Sequence, residues 1–138
     1  MCEEMNVLVF GELLLRLDTP GHERFVQTSS LDVSFTGGEA NVSVALSQWG
    51  VNTSVASCVP SNEIGDACVN HLRRYGVNTD SVIRSGERLG LLFVETGAGR
   101  RIHSPGIAVG NNNTIEAPLI QLGEQLSWVL RYLTTIRG

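Results

Sequence analysis

Thr36-Gly37-Gly38-Glu39-Ala40-Asn41 sets two residues without side chains at the head of a run whose apolar positions are Val42, Ala45, Leu46 and Trp49. That spacing predicts a helix with one buried face, ended by Gly50 in the left-handed conformation. A glycine pair at a helix start leaves backbone N–H groups unscreened, so a ligand can approach them closely. Asn41 adds a side-chain amide that both donates and accepts, which suits hydroxyl groups. The plainer alternative is a turn into a core helix, and spacing alone does not separate the two.

Other chemistry is limited by what the chain lacks. It contains no lysine, so all ten basic residues are arginines, and neither a lysine-bearing phosphate loop nor a Schiff base can be carried by this stretch. His22, His71 and His103 have no metal-ligand spacing; the first two are expected on the surface. Cys2, Cys58 and Cys68 are an odd number without metal spacing, and Cys58 and Cys68 read as small core residues. Asp18 precedes Thr19-Pro20-Gly21 and reads as an acidic turn residue.

The 138 residues, 42% of them hydrophobic, have the size and composition of one globular domain. A net charge of −4 argues against a nucleic-acid surface. No apolar run reaches a membrane-spanning length, Met-Cys-Glu-Glu does not look like a signal sequence, and a reducing cytoplasm is the expected compartment.

The elements that position the glycine pair follow from local pattern. Asn6–Phe10 is a continuous apolar run ended by Gly11, as for a buried strand, and Leu13–Asp18 is a second run. Phe25–Gln27 and Leu31–Phe35 alternate loosely, which predicts half-buried strands. Asn52–Val59 is rich in β-branched and small residues and is closed by Pro60. Ser61 or Asn62 caps a helix whose inner face is expected to carry Ile64, Cys68, Leu72 and Tyr75, and Gly76 ends it. Aromatic-Gly-Val-Asn-Thr occurs at Trp49–Thr53 and again at Tyr75–Thr79, one helix exit used in two successive α/β units. Strand–helix–strand–helix order predicts a parallel sheet with helical crossovers. Val82–Arg84, Leu91–Val94 and the glycine-rich Gly97-Ala98-Gly99 complete a strand and hairpin pattern.

Gly-Gly-Glu-Ala-Asn followed by a small-residue helix ending Trp-Gly resembles the N-terminal signature of the ribokinase-like (PfkB) sugar kinases. Gly86-Glu87-Arg88-Leu89-Gly90 and Phe93-Val94-Glu95-Thr96-Gly97-Ala98 extend the likeness, which lies closest to the 2-keto-3-deoxygluconate kinase branch and covers residues 6–101, roughly the first third of such an enzyme. The resemblance implies an α/β fold, the N-terminal part of a three-layer sandwich with a small β lid over the sugar. It implies a sugar or sugar acid as the partner molecule, ATP and Mg2+ as cofactors, a substrate-binding set of Gly37, Gly38, Glu39, Ala40, Asn41 and Arg88, and pairing of two copies through the lid. Arg88 would reach a sugar carboxylate if the lid folds over. Leu92 departs from the family's usual tyrosine, which leaves fructose or ribose open as alternative acceptors.

Gly97-Ala98-Gly99-Arg100 mimics the family's anion-hole motif but carries arginine where a base is needed, and arginine cannot accept a proton. No residue matches the late aspartate base, the anion hole or the nucleotide loops, so this stretch alone is expected not to phosphorylate. A dinucleotide-binding domain is disfavoured, because Gly11-Glu12-Leu13 follows the first strand in place of Gly-x-Gly-x-x-Gly. Beyond Arg101 the motifs stop. Reading the codons for Ile120–Thr134 from their second nucleotide permits Phe-Asn-Trp-Glu and Phe-Ser-Gly-Ile, which resemble the family's next segment, so residues 102–138 are expected to be an out-of-frame tail.

Overall fold

The computed structural model describes residues 5–95 and the backbone of a short strand at 107–109. Two sheets share the work. A parallel sheet holds β1 (Asn6–Phe10), β4 (Asn52–Val59) and β5 (Val82–Arg84) in the order β1-β4-β5. A second sheet holds β3 (Asp32–Thr36), β2 (Leu14–Asp18), β6 (Gly90–Val94) and β7 (Ile107–Val109) in that order. Helix α1 (Gly38–Gln48) lies between β3 and β4, and α2 (Glu63–Arg74) between β4 and β5. This is the expected α/β architecture: the parallel sheet with helical crossovers that the pattern predicts, and the small second sheet that the resemblance implies.

One face of the parallel sheet makes the core. Val55 and Val59 of β4 meet Ala40 of α1 and Cys68, Val69 and Leu72 of α2, with Val44 packed at the margin. Leu15 and Phe35 bring the second sheet against the same cluster. Side chains alternate across a strand, so Leu8 and Phe10, paired with Ser54 and Ala56, point to the opposite face. Phe10 is 54% exposed and Leu8 36%, so the expectation of a fully buried first strand is corrected.

Three further expectations are corrected. In α1 the inner face carries Ala40, Ser43 and Val44, whereas Val42 and Trp49 are 51% and 79% exposed. Small residues let this helix lie close to the sheet, and buried Ser43 satisfies its hydroxyl by donating to the Ala40 carbonyl at 2.8 Å. In α2, Gly65 and Val69 join Cys68 and Leu72 inside, while Ile64 is exposed and Tyr75 half-buried. Phe25–Gln27 is a turn, closed by Gln27 N–H donating to the Arg24 carbonyl at 2.9 Å. Its Phe25 ring sits edge-on to Phe93 of β6, centroids 6.0 Å apart, so that apolar residue is anchored without a ladder.

The repeated helix exit is real. Val51 and Val77 N–H groups donate back to the carbonyls of Leu46 and Leu72 at 3.0 and 3.3 Å, with Gly50 and Gly76 at φ +82° and +81°. The matching threonines, Thr53 and Thr79, are both buried. β7 lies inside the segment 102–138 and pairs antiparallel with β6, a strand that the sequence patterns do not anticipate. The Gly97–Arg100 motif, Cys2, His103 and the remainder of 102–138 lie outside the described residues.

Candidate functional site

The glycine pair divides its labour. Gly37 is buried at φ +141°, and a Cβ there would stand 2.5 Å from the Glu12 carbonyl oxygen. Its glycine is demanded by backbone conformation and by the close approach of the loop after β1. Gly38 is the opposite case: it is exposed, and a Cβ there would meet nothing within 4 Å. This is the open patch of main chain.

No side chain caps α1 at Gly37, and the first helical bond runs from Asn41 N–H to the Gly37 carbonyl at 3.0 Å. The N–H groups ahead of Asn41 therefore have no partner within the helix, and the helix dipole at this end favours electron-rich oxygen. Asn41 is exposed, and its amide nitrogen donates to the Thr36 hydroxyl at 3.3 Å. That bond ties the helix start to the last residue of β3.

Glu39 turns away from this opening. Its carboxylate lies directly over Gly11, in space that a side chain at Gly11 would fill. Glu12 does the same across the chain, with its carboxylate against Gly90 at the start of β6. The two glutamates thus occupy the space left by two glycines, one at the end of β1 and one at the base of the second sheet. Ala40 is 5% exposed and its side chain belongs to the core, so only its backbone N–H is left to serve in the proposed substrate-binding set. Arg88 is exposed in the turn before β6, where it donates to the Leu89 carbonyl at 2.9 Å.

The register of the second sheet adds residues that motif reading passes over. Leu14, Arg16 and Asp18 of β2 stand opposite Thr36, Ser34 and Asp32 of β3, and opposite Gly90, Leu92 and Val94 of β6. These share one face, the face that Thr36 joins to Asn41; Leu15 and Phe35 on the other face meet the core. Arg16 donates through Nε and one terminal nitrogen to Asp18 Oδ1 at 2.9 and 2.7 Å. Asp18 is therefore held by an arginine on its own strand, which fits neither a bare turn residue nor an isolated hydroxyl ligand. Period-two alternation around Arg16 was the available signal, and the leucine-rich run masks it.

Titration shifts at the described groups are structural. Burial pushes the Cys68 thiol up to about 12 against a weaker opposing pull from Arg84, and burial also raises Cys58. Both cysteines are free and buried, as expected. His71 is half-buried rather than on the surface: its ring lies 5.8 Å from Phe35 of β3 and 5.2 Å from Tyr75. Desolvation, with Arg74 nearby, lowers its pKa. Among the described residues no group of three or more His, Cys, Asp or Glu side chains could hold a metal ion.

A family model described as pfkB family carbohydrate kinase matches residues 5–126. The chain belongs to the pfkB family of carbohydrate kinases. The match runs past Arg101, where the motif resemblance stops. The chain is 32% identical over 96 residues to a 2-dehydro-3-deoxygalactonokinase from Haloferax volcanii, covering 70% of this chain and 30% of that one. Among solved structures, a 2-dehydro-3-deoxygluconokinase from Thermotoga maritima superposes with a TM-score of 0.70 at 43% identity, covering 78% of this chain and 32% of that chain. A pfkB family carbohydrate kinase from Listeria grayi follows at 0.69 and 39%, covering 79% and 33%. This pfkB chain thus spans about a third of the length of these relatives.

Proposed function

We propose that this chain forms the acceptor-holding part of an ATP-dependent sugar kinase, and that its acceptor is a keto-deoxy sugar acid of the 2-keto-3-deoxygluconate kind. The observation that carries the reading is the open main chain at Gly38, at an uncapped helix start, beside a strand face bearing Thr36, Ser34 and Arg16. Backbone N–H groups and the Asn41 amide hold sugar hydroxyls there without a clash, and the second sheet lies over them as a lid. Gly37 and Glu39 shape the corner from behind. Arg88, in the turn at the lid's base, meets the acceptor carboxylate when the lid closes.

Phosphoryl transfer also needs a base for the acceptor hydroxyl and positive charge around the moving phosphoryl group. In this proposal ATP with Mg2+ supplies the phosphoryl group, and the base lies outside the described residues. The proposed setting is the cytoplasm, and the lid's exposed face is the proposed contact between two copies. Fructose or ribose remains the second reading, favoured by Leu92, which cannot donate the hydrogen bond of a tyrosine.

Calorimetry with 2-keto-3-deoxygluconate and with fructose separates the acceptors: the sugar acid binds and fructose does not. Equal binding would favour the second reading, and binding of neither would end the proposal. ATP, Mg2+ and a sugar panel are expected to give no turnover with these residues alone; robust turnover would overturn the assignment of the base to another region. The division at residue 101 is proposed from motifs, and both the family match to 126 and the pairing of β7 weigh against a wholly unrelated tail. Sequencing the gene decides it, since a single shift must restore a kinase-like downstream frame.

A further inference from the structure

A side-chain oxygen is all that an N-cap needs, and serine or aspartate supplies it as well as asparagine. Asn62 does more than that. Its Oδ1 accepts from Gly65 N–H at 3.0 Å, while its Nδ2 donates to the Glu87 carbonyl at 3.4 Å. Of the common N-capping side chains only asparagine carries a separate donor atom beside the acceptor, and here each is used. The loop that presents Asn62 is held firmly. Arg84 at the end of β5 donates to the Pro60 carbonyl at 3.1 Å and pairs with Asp66 in the first turn of α2, and Gly65 packs on the same carbonyl. The turn that receives the Asn62 bond is anchored at its ends: Ser85 N–H donates to the Val59 carbonyl at 2.9 Å, and Leu89 is buried. Between them Gly86, Glu87 and Arg88 are exposed, with Gly86 left-handed at φ +85°. Asn62 therefore joins a fixed helix start to the exposed middle of the turn, one residue before Arg88.

We propose that Asn62 is a positioning residue for acceptor binding: its amide nitrogen holds the Glu87 carbonyl and so sets the direction in which Arg88 offers its guanidinium to the acceptor carboxylate. The inference rests on the sugar-acid reading above. A long bond at an exposed turn adds little stability. Its effect is on orientation. The peptide unit is planar, so fixing the Glu87 carbonyl also fixes the plane that ends at the Arg88 Cα. Recognition of a carboxylate by a planar guanidinium depends on that direction, because two parallel N–H bonds must meet two oxygens.

The test is a double-mutant cycle on the full chain, with 2-keto-3-deoxygluconate binding read by calorimetry and stability by urea unfolding. Asn62→Ser keeps the cap but does not reach Glu87. It should weaken binding about fivefold, as loss of one ordinary hydrogen bond does, at an unchanged unfolding midpoint. Asn62→Asp, which caps but cannot donate, should weaken it at least as much. In an Arg88→Ala background Asn62→Ser should have no further effect, since its influence passes through that arginine. Native affinity in Asn62→Ser, equal losses in both backgrounds, or a loss seen only where the midpoint falls would each overturn the proposal. A native chain that binds no sugar acid would remove the proposed function and this inference with it. Native binding that Asn62→Ser leaves untouched would remove this inference alone.

Discussion

The two helices among the described residues end alike and begin unlike. Each exits through a left-handed glycine, a valine whose N–H reaches back five residues, and a buried threonine. Their first turns diverge. Asn62 accepts from Gly65 N–H at 3.0 Å and closes the start of α2, and Gly65 is pressed so tightly on the Pro60 carbonyl that no Cβ fits. At α1 no side chain caps the start, and Gly38 faces open space. The repeated exit solves a folding problem twice. The missing cap leaves donors unsatisfied that a protein normally satisfies, which is what a ligand site requires.

Substitutions at three glycines break this contrast most sharply. Gly37→Ala forces a left-handed backbone and a contact with the Glu12 carbonyl, and should cost about 2–3 kcal/mol, as a strained residue of this kind does. Gly65→Ala should be at least as damaging, since the contact is with backbone that cannot turn aside. Gly38→Ala should leave stability unchanged or raise it by no more than about 1 kcal/mol through helix propensity. It should nevertheless lower sugar affinity at least about tenfold, or about 1.4 kcal/mol. Urea unfolding together with calorimetry separates the three; a destabilised Gly38→Ala would show that this corner is structural.

The asparagines at the two helix starts give a smaller difference. Asn62→Ala should cost about 1 kcal/mol, the usual worth of an N-cap. Asn41→Ala should hardly change the unfolding midpoint, because its exposed amide makes one bond at 3.3 Å, but should weaken sugar binding. Arg16→Ala sharpens the point on the strand side. It frees Asp18 and should alter acceptor preference more than stability, since the Arg16–Asp18 pair is partly exposed and such pairs contribute little.

How much of this was legible follows from what each pattern encodes. β1 and β4 were readable to the residue, because β-branched runs bounded by Gly11 and Pro60 admit few alternatives. The facing of α1 was not. Hydrophobic periodicity selects the largest residues, Val42 and Trp49, whereas the helix buries Ala40 and Ser43 so as to approach β4 closely. Phe25 misled in the same way, since a ring can be buried edge-on against Phe93 from within a turn. At the site, the glycine pair was visible as a motif. The difference between a glycine needed for φ and one needed for space depends on Glu12, more than twenty positions away in sequence, and no local pattern carries that.

The smallest expected effect concerns the seam between α2 and the second sheet, where His71 of α2 meets Phe35 of β3 just ahead of the glycines. Burial and Arg74 hold the His71 pKa below 6.5, so folding favours the neutral ring. The unfolded chain then binds a proton more readily than the folded one. The contribution is fully present above pH 6.5 and is lost as pH falls through the folded pKa. Carboxylates titrate lower and add their own slope, so the decisive measurement is a difference. Unfolding midpoints of the native chain and of His71→Leu, taken at pH 7.5 and 5.5, should show the larger acid loss in the native chain. Parallel losses would mean that the ring gains as much from its aromatic neighbours when charged as it forfeits by being buried, and the seam would then be indifferent to protonation.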